Sequence, residues 1–246
     1  MDLRLALRLA AIATALACAP AAPRPNPAQD ALPAEALDPS AGAENFLEPN
    51  AEDSDGAPAY VHFTPEDMPL RVNVQLPKLA ARYASREQTD AAVVEGIKGW
   101  EAAIHPVLPW FVLEIVRDDK AAPIQVEWKT RITNGAAGRG GIDWRAEGGR
   151  LVTSGYFEYA TKPCMQVSCQ LDVDQLRMVV THEFGHVLGL GHCLSCDSAM
   201  NYSWETRERV LITDVDLRTI RALYALPSGT RADGQPMLAL RGRASQ

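Results

Sequence analysis

His182-Glu183-Phe184-Gly185-His186-Val187-Leu188-Gly189-Leu190-Gly191-His192 is the stretch on which the reading of this chain turns. Residues i and i+4 of a helix share one face, so His182 and His186 can hold one ion between them. Glu183 stands one residue along and can reach a water at that ion without being a ligand. Gly189 permits the left-handed turn that ends a helix, which a residue with a Cβ resists. That turn lets His192 swing back and complete a set of three nitrogens. Three protein ligands and an open fourth position describe a catalytic zinc, whereas a structural zinc is closed by four. The bare H-E-x-x-H also arises on ordinary amphipathic helices; the added glycine and third histidine at fixed offsets make this pattern specific. Three of the chain's 5 histidines fall within it. Leu176, Val179, Val180, Phe184, Val187 and Leu188 form an apolar face at helical spacing, and Asp172 and Asp174 supply negative charge where a helix would start.

These residues resemble the signature of the metzincin clan of zinc metallopeptidases. A second mark, Ser198-Ala199-Met200-Asn201-Tyr202, resembles the clan's Met-turn, in which a methionine floors the three histidines. The segment from Thr213 to Tyr224 resembles the last helix of matrixin catalytic domains. It is physically a good amphipathic helix, with Thr213 or Asp214 as cap and Val215, Ile220, Leu223 and Tyr224 on the buried side. The Met-x-Tyr order is closer to astacins and serralysins, where the tyrosine approaches the zinc. Tyr202 is thus a candidate for zinc contact or oxyanion stabilisation, against the alternative that it only packs beneath the site. Cys193 follows the third histidine where those families show serine, proline or glutamate, a departure that suggests a divergent bacterial, matrixin-like branch.

The resemblance implies an α+β, zincin-like domain: a mixed twisted sheet, a long backing helix, the active-site helix, the Met-turn and a C-terminal helix. The upstream pattern agrees. Leu70 to Leu76 alternates apolar and polar like a strand. Ser85 can cap a helix from Arg86 to about Ile104, with Ala92, Val93, Ile97 and Trp100 toward the core. Further strands are expected over 110–116, 124–129 and 151–159, with a Gly-rich loop at 134–149 between the last two. In the resembled enzymes substrate pairs with the sheet's edge strand, here expected within 140–160. The specificity pocket falls to loop residues around 201–212.

The chain has 246 residues and a formal net charge of −7, with 47% hydrophobic residues. That is enough for one domain with tails, expected to be a monomer. No basic patch with interleaved aromatics exists, so nucleic-acid binding is set aside. Residues 1–17 read as a signal peptide: Arg4 and Arg8 flank a short apolar run too short to span a membrane. Ala15-Leu16-Ala17-Cys18 resembles a loose bacterial lipobox, making Cys18 a lipidation candidate and the protein an outer-membrane or cell-surface lipoprotein. The alternative is cleavage at Ala19-Pro20-Ala21 and release to the periplasm or medium. Residues 18–58, rich in Ala, Pro and acidic side chains, read as a disordered tether. The competing propeptide reading lacks a cysteine other than Cys18. The catalytic domain is expected over 59–226 and a disordered tail over 227–246.

Cys164, Cys169, Cys193 and Cys196 are disulfide candidates in an exported protein. Bridges 164–169 and 193–196 come first, with cross-links between the pairs, or a redox or metal role for Cys193 and Cys196, as alternatives. In the Gly-rich segment, Asp143 and Glu147 raise a calcium reading against that of a plain mobile loop. One catalytic zinc is expected. His62 and His105 read as surface or capping residues.

The chemistry implied is hydrolysis of a protein or peptide substrate. Zinc on His182, His186 and His192 would bring the pKa of a water from near 16 toward about 7. Glu183 would serve as general base, then pass the proton to the leaving amine. Two rivals stand beside this: a non-catalytic surface binding protein that uses the zinc helix as a staple, and an enzyme acting on something other than protein.

Overall fold

A computed structural model describes residues 45–166, 169–201 and 212–237. The signal peptide, Cys18, Tyr202 and nearly all of the 201–212 specificity loop lie outside the described residues.

Five strands form the main sheet: β3 (Leu70–Val74), β4 (Leu113–Val116), β5 (Ile124–Trp128), β6 (Gly138–Glu147) and β7 (Arg150–Tyr159). Their order is β4-β3-β5-β7-β6, parallel throughout except for β6, which runs antiparallel to β7 along one edge. Among the described residues three α-helices accompany it: α1 (Arg86–Ile104), α2 (Val173–Val187) and α3 (Asp214–Ala225). This is the expected α+β, mixed-sheet architecture. None of the described helices is long and apolar enough to cross a membrane.

The helix starts are fixed by side chains that replace missing backbone partners. Ser85 Oγ accepts from Gln88 N–H (3.1 Å), and Gln88 Oε1 accepts from Ser85 N–H (2.8 Å). Asp172 and Gln175 repeat the exchange at α2, at 2.9 and 3.1 Å. Ala92, Val93, Ile97 and Trp100 of α1 are buried, as expected, and pack toward α2. The helices touch closely at Gly96, where a Cβ would come within 2.7 Å of Val180 Cγ1. Trp100 Nε1 donates to Thr181 O (2.7 Å), so the largest buried side chain also pins the helix that carries the histidines.

Four expectations are corrected. Residues 138–147 are not a Gly-rich loop but strand β6, paired with β7 over its whole length. Glycine is rare in strands because it packs nothing, yet here α2 lies where side chains would be. The calcium reading falls with the loop: Asp143 and Glu147 are exposed and four positions apart along an extended strand, roughly 13 Å at strand rise. Glu147 pairs instead with Arg145 at 3.2 Å.

The tether and tail are shorter than expected at their inner ends. β1 (Ala51–Glu52), β2 (Pro58–Tyr60) and β8 (Thr230–Arg231) form a second, antiparallel sheet with Ala59 opposite both Ala51 and Arg231. Neither segment has the apolar content to order alone; β1 and β8 are each ordered by pairing with β2, which lies between them.

His62 is buried rather than a surface residue. Its ring nitrogens each lie 2.8 Å from a carbonyl, of Phe63 and Leu226, and its ring packs on Tyr224. His105 is exposed and caps the C-terminus of α1, as read from the sequence.

Candidate metal centre and active site

α2 carries His182, Glu183 and His186 and ends at Leu188. Gly189 follows with φ +95°, a left-handed conformation that L side chains resist. A Cβ there would also meet Asn50 Nδ2 at 2.5 Å and Leu223 Cδ2 at 2.9 Å. The turn folds the chain back, and His192 Nε2 comes to 3.2 Å from both His182 Nε2 and His186 Nε2. Donor nitrogens on a tetrahedral zinc at about 2.0–2.1 Å would lie roughly 3.3 Å apart.

The outer nitrogens are held by backbone. His182 Nδ1 donates to Ala199 O and His186 Nδ1 to Leu190 O, both 2.8 Å. Each bond places the hydrogen on Nδ1 and leaves an Nε2 lone pair pointing inward. Lone pairs converging at this distance repel unless a cation lies between them. Burial lowers His182 to about 3, helped by the charge His186 would carry, and burial lowers His186 to about 4. Burial also lowers His192. The triad is thus a set of neutral imidazoles at ordinary pH, the form that binds metal. Among the described residues, His182, His186 and His192 are the group of three whose ligand atoms lie together closely enough to share an ion. The donor set fits zinc.

Glu183 sits between the triad and the edge strand. Burial raises its carboxyl to about 7, against the backbone hydrogen bond from Gly140, which lowers it. A Cβ on Gly138 would lie 2.7 Å from Glu183 Oε1, and one on Gly140 would meet the Glu183 backbone. The bare glycines of β6 are therefore the wall against which Glu183 stands.

Beneath the histidines, Met200 is fully buried and packs on Gly185, where a Cβ would meet its Cε at 3.0 Å. Asp216, at the start of α3 and fully buried, holds this turn. It accepts from Ser198 Oγ, from Ala199 N–H (3.1 Å) and from Thr213 N–H (2.8 Å). Ser198 Oγ in turn accepts from Met200 N–H (2.8 Å). The same Ala199 presents its carbonyl to His182, so a charge on α3 orients a ligand on α2 through one residue of turn.

Disulfides join Cys164 to Cys169 and Cys193 to Cys196, the local pairing placed first from the sequence. The second closes the loop between His192 and Met200, where Cys193 N–H donates to Met200 O (2.9 Å). Sequence reasoning missed Asp216, Gly138, Gly140 and the residues near position 50. Asp216 reads as one more acid in the first turn of a helix, and only its contact with residues 198–199 distinguishes it.

An α+β domain with a helix-borne histidine triad, a flanking carboxylate and a buried methionine turn is the arrangement of a metzincin. The matrixin model of peptidase family M10 matches residues 75–225, and the chain belongs to that family. Human matrix metalloproteinase-15 is 34% identical over 80 residues, which cover 32% of this chain and 12% of that protein's length.

Proposed function

We propose that this chain is an exported zinc-dependent endopeptidase. The observation that carries the reading is the convergence of three Nε2 atoms, those of His182 and His186 each 3.2 Å from that of His192, beside the half-buried Glu183 carboxylate. His182, His186 and His192 would hold the zinc. When bound, the metal polarises a scissile carbonyl and makes water acidic near pH 7.

The rest falls to the protein. Glu183 accepts the water's proton and delivers it to the leaving amine. Gly140 N–H keeps the carboxylate aimed. The outer edge of β6 offers backbone groups to an extended peptide, so affinity comes from main-chain pairing and preference from pockets. A binding protein that kept the helix as a staple would have no use for a carboxylate held in this position. Tyr202 remains a proposed oxyanion partner.

Two disulfides favour an oxidising compartment. With the signal-like residues 1–17 they support export, with Cys18 as the lipid-bearing residue of an outer-membrane or surface lipoprotein. Loss of palmitate labelling in Cys18→Ala would support the anchor; unchanged labelling would remove it.

Casein digestion tests the activity. Digestion should stop with chelator, return with added zinc, and be absent in Glu183→Ala that still binds zinc. A Glu183→Ala protein cutting at the parent rate would refute the assignment.

A further inference from the structure

The residues just before β1 lie against the third-histidine turn. Phe46 N–H donates to Thr219 Oγ1 (3.2 Å) on α3, tying the segment down at its start. Asn50 ties it at its end: Nδ2 donates to Gly189 O (2.9 Å) and Val61 O (2.8 Å), while Oδ1 accepts from Val61 N–H (2.8 Å). Gly189 is the residue whose left-handed turn sends His192 back to the triad. Its carbonyl is therefore anchored by one side chain of this strap, as the next carbonyl, of Leu190, is anchored by His186.

Between the two ties lies Glu48. A Cβ on Gly191 would come within 2.7 Å of Glu48 Cδ, closer than a side chain can approach. Position 191 is one of the unspecified letters of H-E-x-x-H-x-x-G-x-x-H, so the motif itself does not call for glycine there. In this chain the space is filled by a carboxylate.

We propose that residues 45–50 are a positioning strap for the third metal ligand, in which Asn50 fixes the Gly189 turn and the Glu48 carboxylate, seated over Gly191, supports His192 from outside the metal shell. The inference rests on the metal reading of the triad. Side chains packed behind the turn that carries a ligand restrict that ligand's motion, and such outer partners typically change metal affinity by about 10- to 100-fold. His182 and His186 are oriented by the backbone of the core. His192 lies on a loop after the helix, where an added support has the most effect.

The test is zinc affinity of the full chain, measured by competition with a chromophoric chelator, together with the visible spectrum of the cobalt(II)-substituted protein. Glu48→Ala removes the exposed side chain seated over Gly191. Asn50→Asp removes the donor to Gly189 O and keeps the acceptor for Val61. Both should bind zinc about tenfold more weakly and shift the cobalt bands, with His192→Ala far weaker than either. Affinities within twofold of the parent and unchanged cobalt spectra in both variants, alongside a His192→Ala that loses zinc, would overturn the strap and leave the metal site standing. A parent protein that binds no zinc, indistinguishable from His192→Ala, would remove the metal reading and the strap with it.

Discussion

Glu183 occupies the space that a side chain at position 138 would need: a Cβ on Gly138 would lie 2.7 Å from Glu183 Oε1 and 2.8 Å from its Cδ. The edge strand and the proposed general base are thus fitted to each other, and a residue on the sheet sets the position of a carboxylate on the helix. Neither the strand nor the helix alone specifies where the carboxylate goes.

Gly138→Ala should therefore displace Glu183 while leaving the three histidines in place. A misplacement of about 1 Å can cost about 100-fold in rate. The expected result is zinc content equal to the parent and kcat/KM lower by about that factor. Gly99→Ala serves as a control, because its Cβ meets only Ile212 at 3.9 Å. It should be active and slightly more stable, by about 0.5–1 kcal/mol for a helix interior. Parent-level kcat/KM in Gly138→Ala would show that Glu183 does not need the bare strand.

The raised pKa of Glu183 predicts a pH-dependent difference in stability. The folded carboxyl titrates at about 7 because of burial, against an ordinary value of 4.5. For an acid raised in the folded state, its contribution to stability is complete below pH 4.5 and is lost as pH rises through 7. The loss approaches about 3 kcal/mol for a shift of this size. Glu183→Gln cannot ionise, so in chelator the metal-free variant should match the parent near pH 4 and exceed it by up to that amount at pH 8. The burial-lowered histidines destabilise both proteins alike in acid and cancel from the comparison. Denaturant melts at the two pH values measure it; parallel curves for the two proteins would mean an exposed carboxylate.

What was readable from the sequence follows from the range of the interactions involved. The His182–His192 pattern is local, and so is the apolar face of α2, so both helix and triad could be placed from spacing. The capping pairs Ser85–Gln88 and Asp172–Gln175 are likewise three residues apart. β6 escapes a reading of the sequence because Gly138, Gly140 and Gly141 carry the composition of a loop; pairing with β7 makes them strand residues, and the approach of Glu183, more than 40 positions away in the chain, accounts for the bare positions 138 and 140. β1 and β8 are too short and polar to be found in isolation, since each is specified by β2 between them. The burial of His62 depends on Leu226 and Ser228, and no window of sequence contains both ends of those contacts.

Asp216 carries a prediction of the same long-range kind. Removing its carboxylate would orphan the N–H groups of Ala199 and Thr213 in a buried site. Unsatisfied buried donors cost about 1–3 kcal/mol each, so Asp216→Ala should lose about 2–5 kcal/mol. Zinc affinity should fall with it, because the Ala199 carbonyl that orients His182 would be freed. Asp216→Asn retains an acceptor and should lose less on both measures. Chelator competition beside thermal melts separates the two effects; destabilisation with unchanged affinity would confine Asp216 to the fold.

The Cys193–Cys196 bridge closes a short loop between the third histidine and Met200. Chain entropy alone gives such a loop about 2 kcal/mol. In a domain of this size that corresponds to roughly 4–8 °C in Tm. Opening the loop also loosens the Cys193 N–H to Met200 O bond and the Asn201 Nδ2 to Cys196 O bond (2.7 Å), which join His192 to the methionine turn. The double variant Cys193→Ser, Cys196→Ser should therefore melt several degrees lower and release zinc faster than the parent. Cys164→Ser with Cys169→Ser supplies the comparison. That bridge closes a loop of similar length ahead of α2, so its entropic loss should be alike, with zinc release unchanged. Equal zinc release rates in the two double variants would mean that the second bridge acts on the fold in general and has no particular hold on His192.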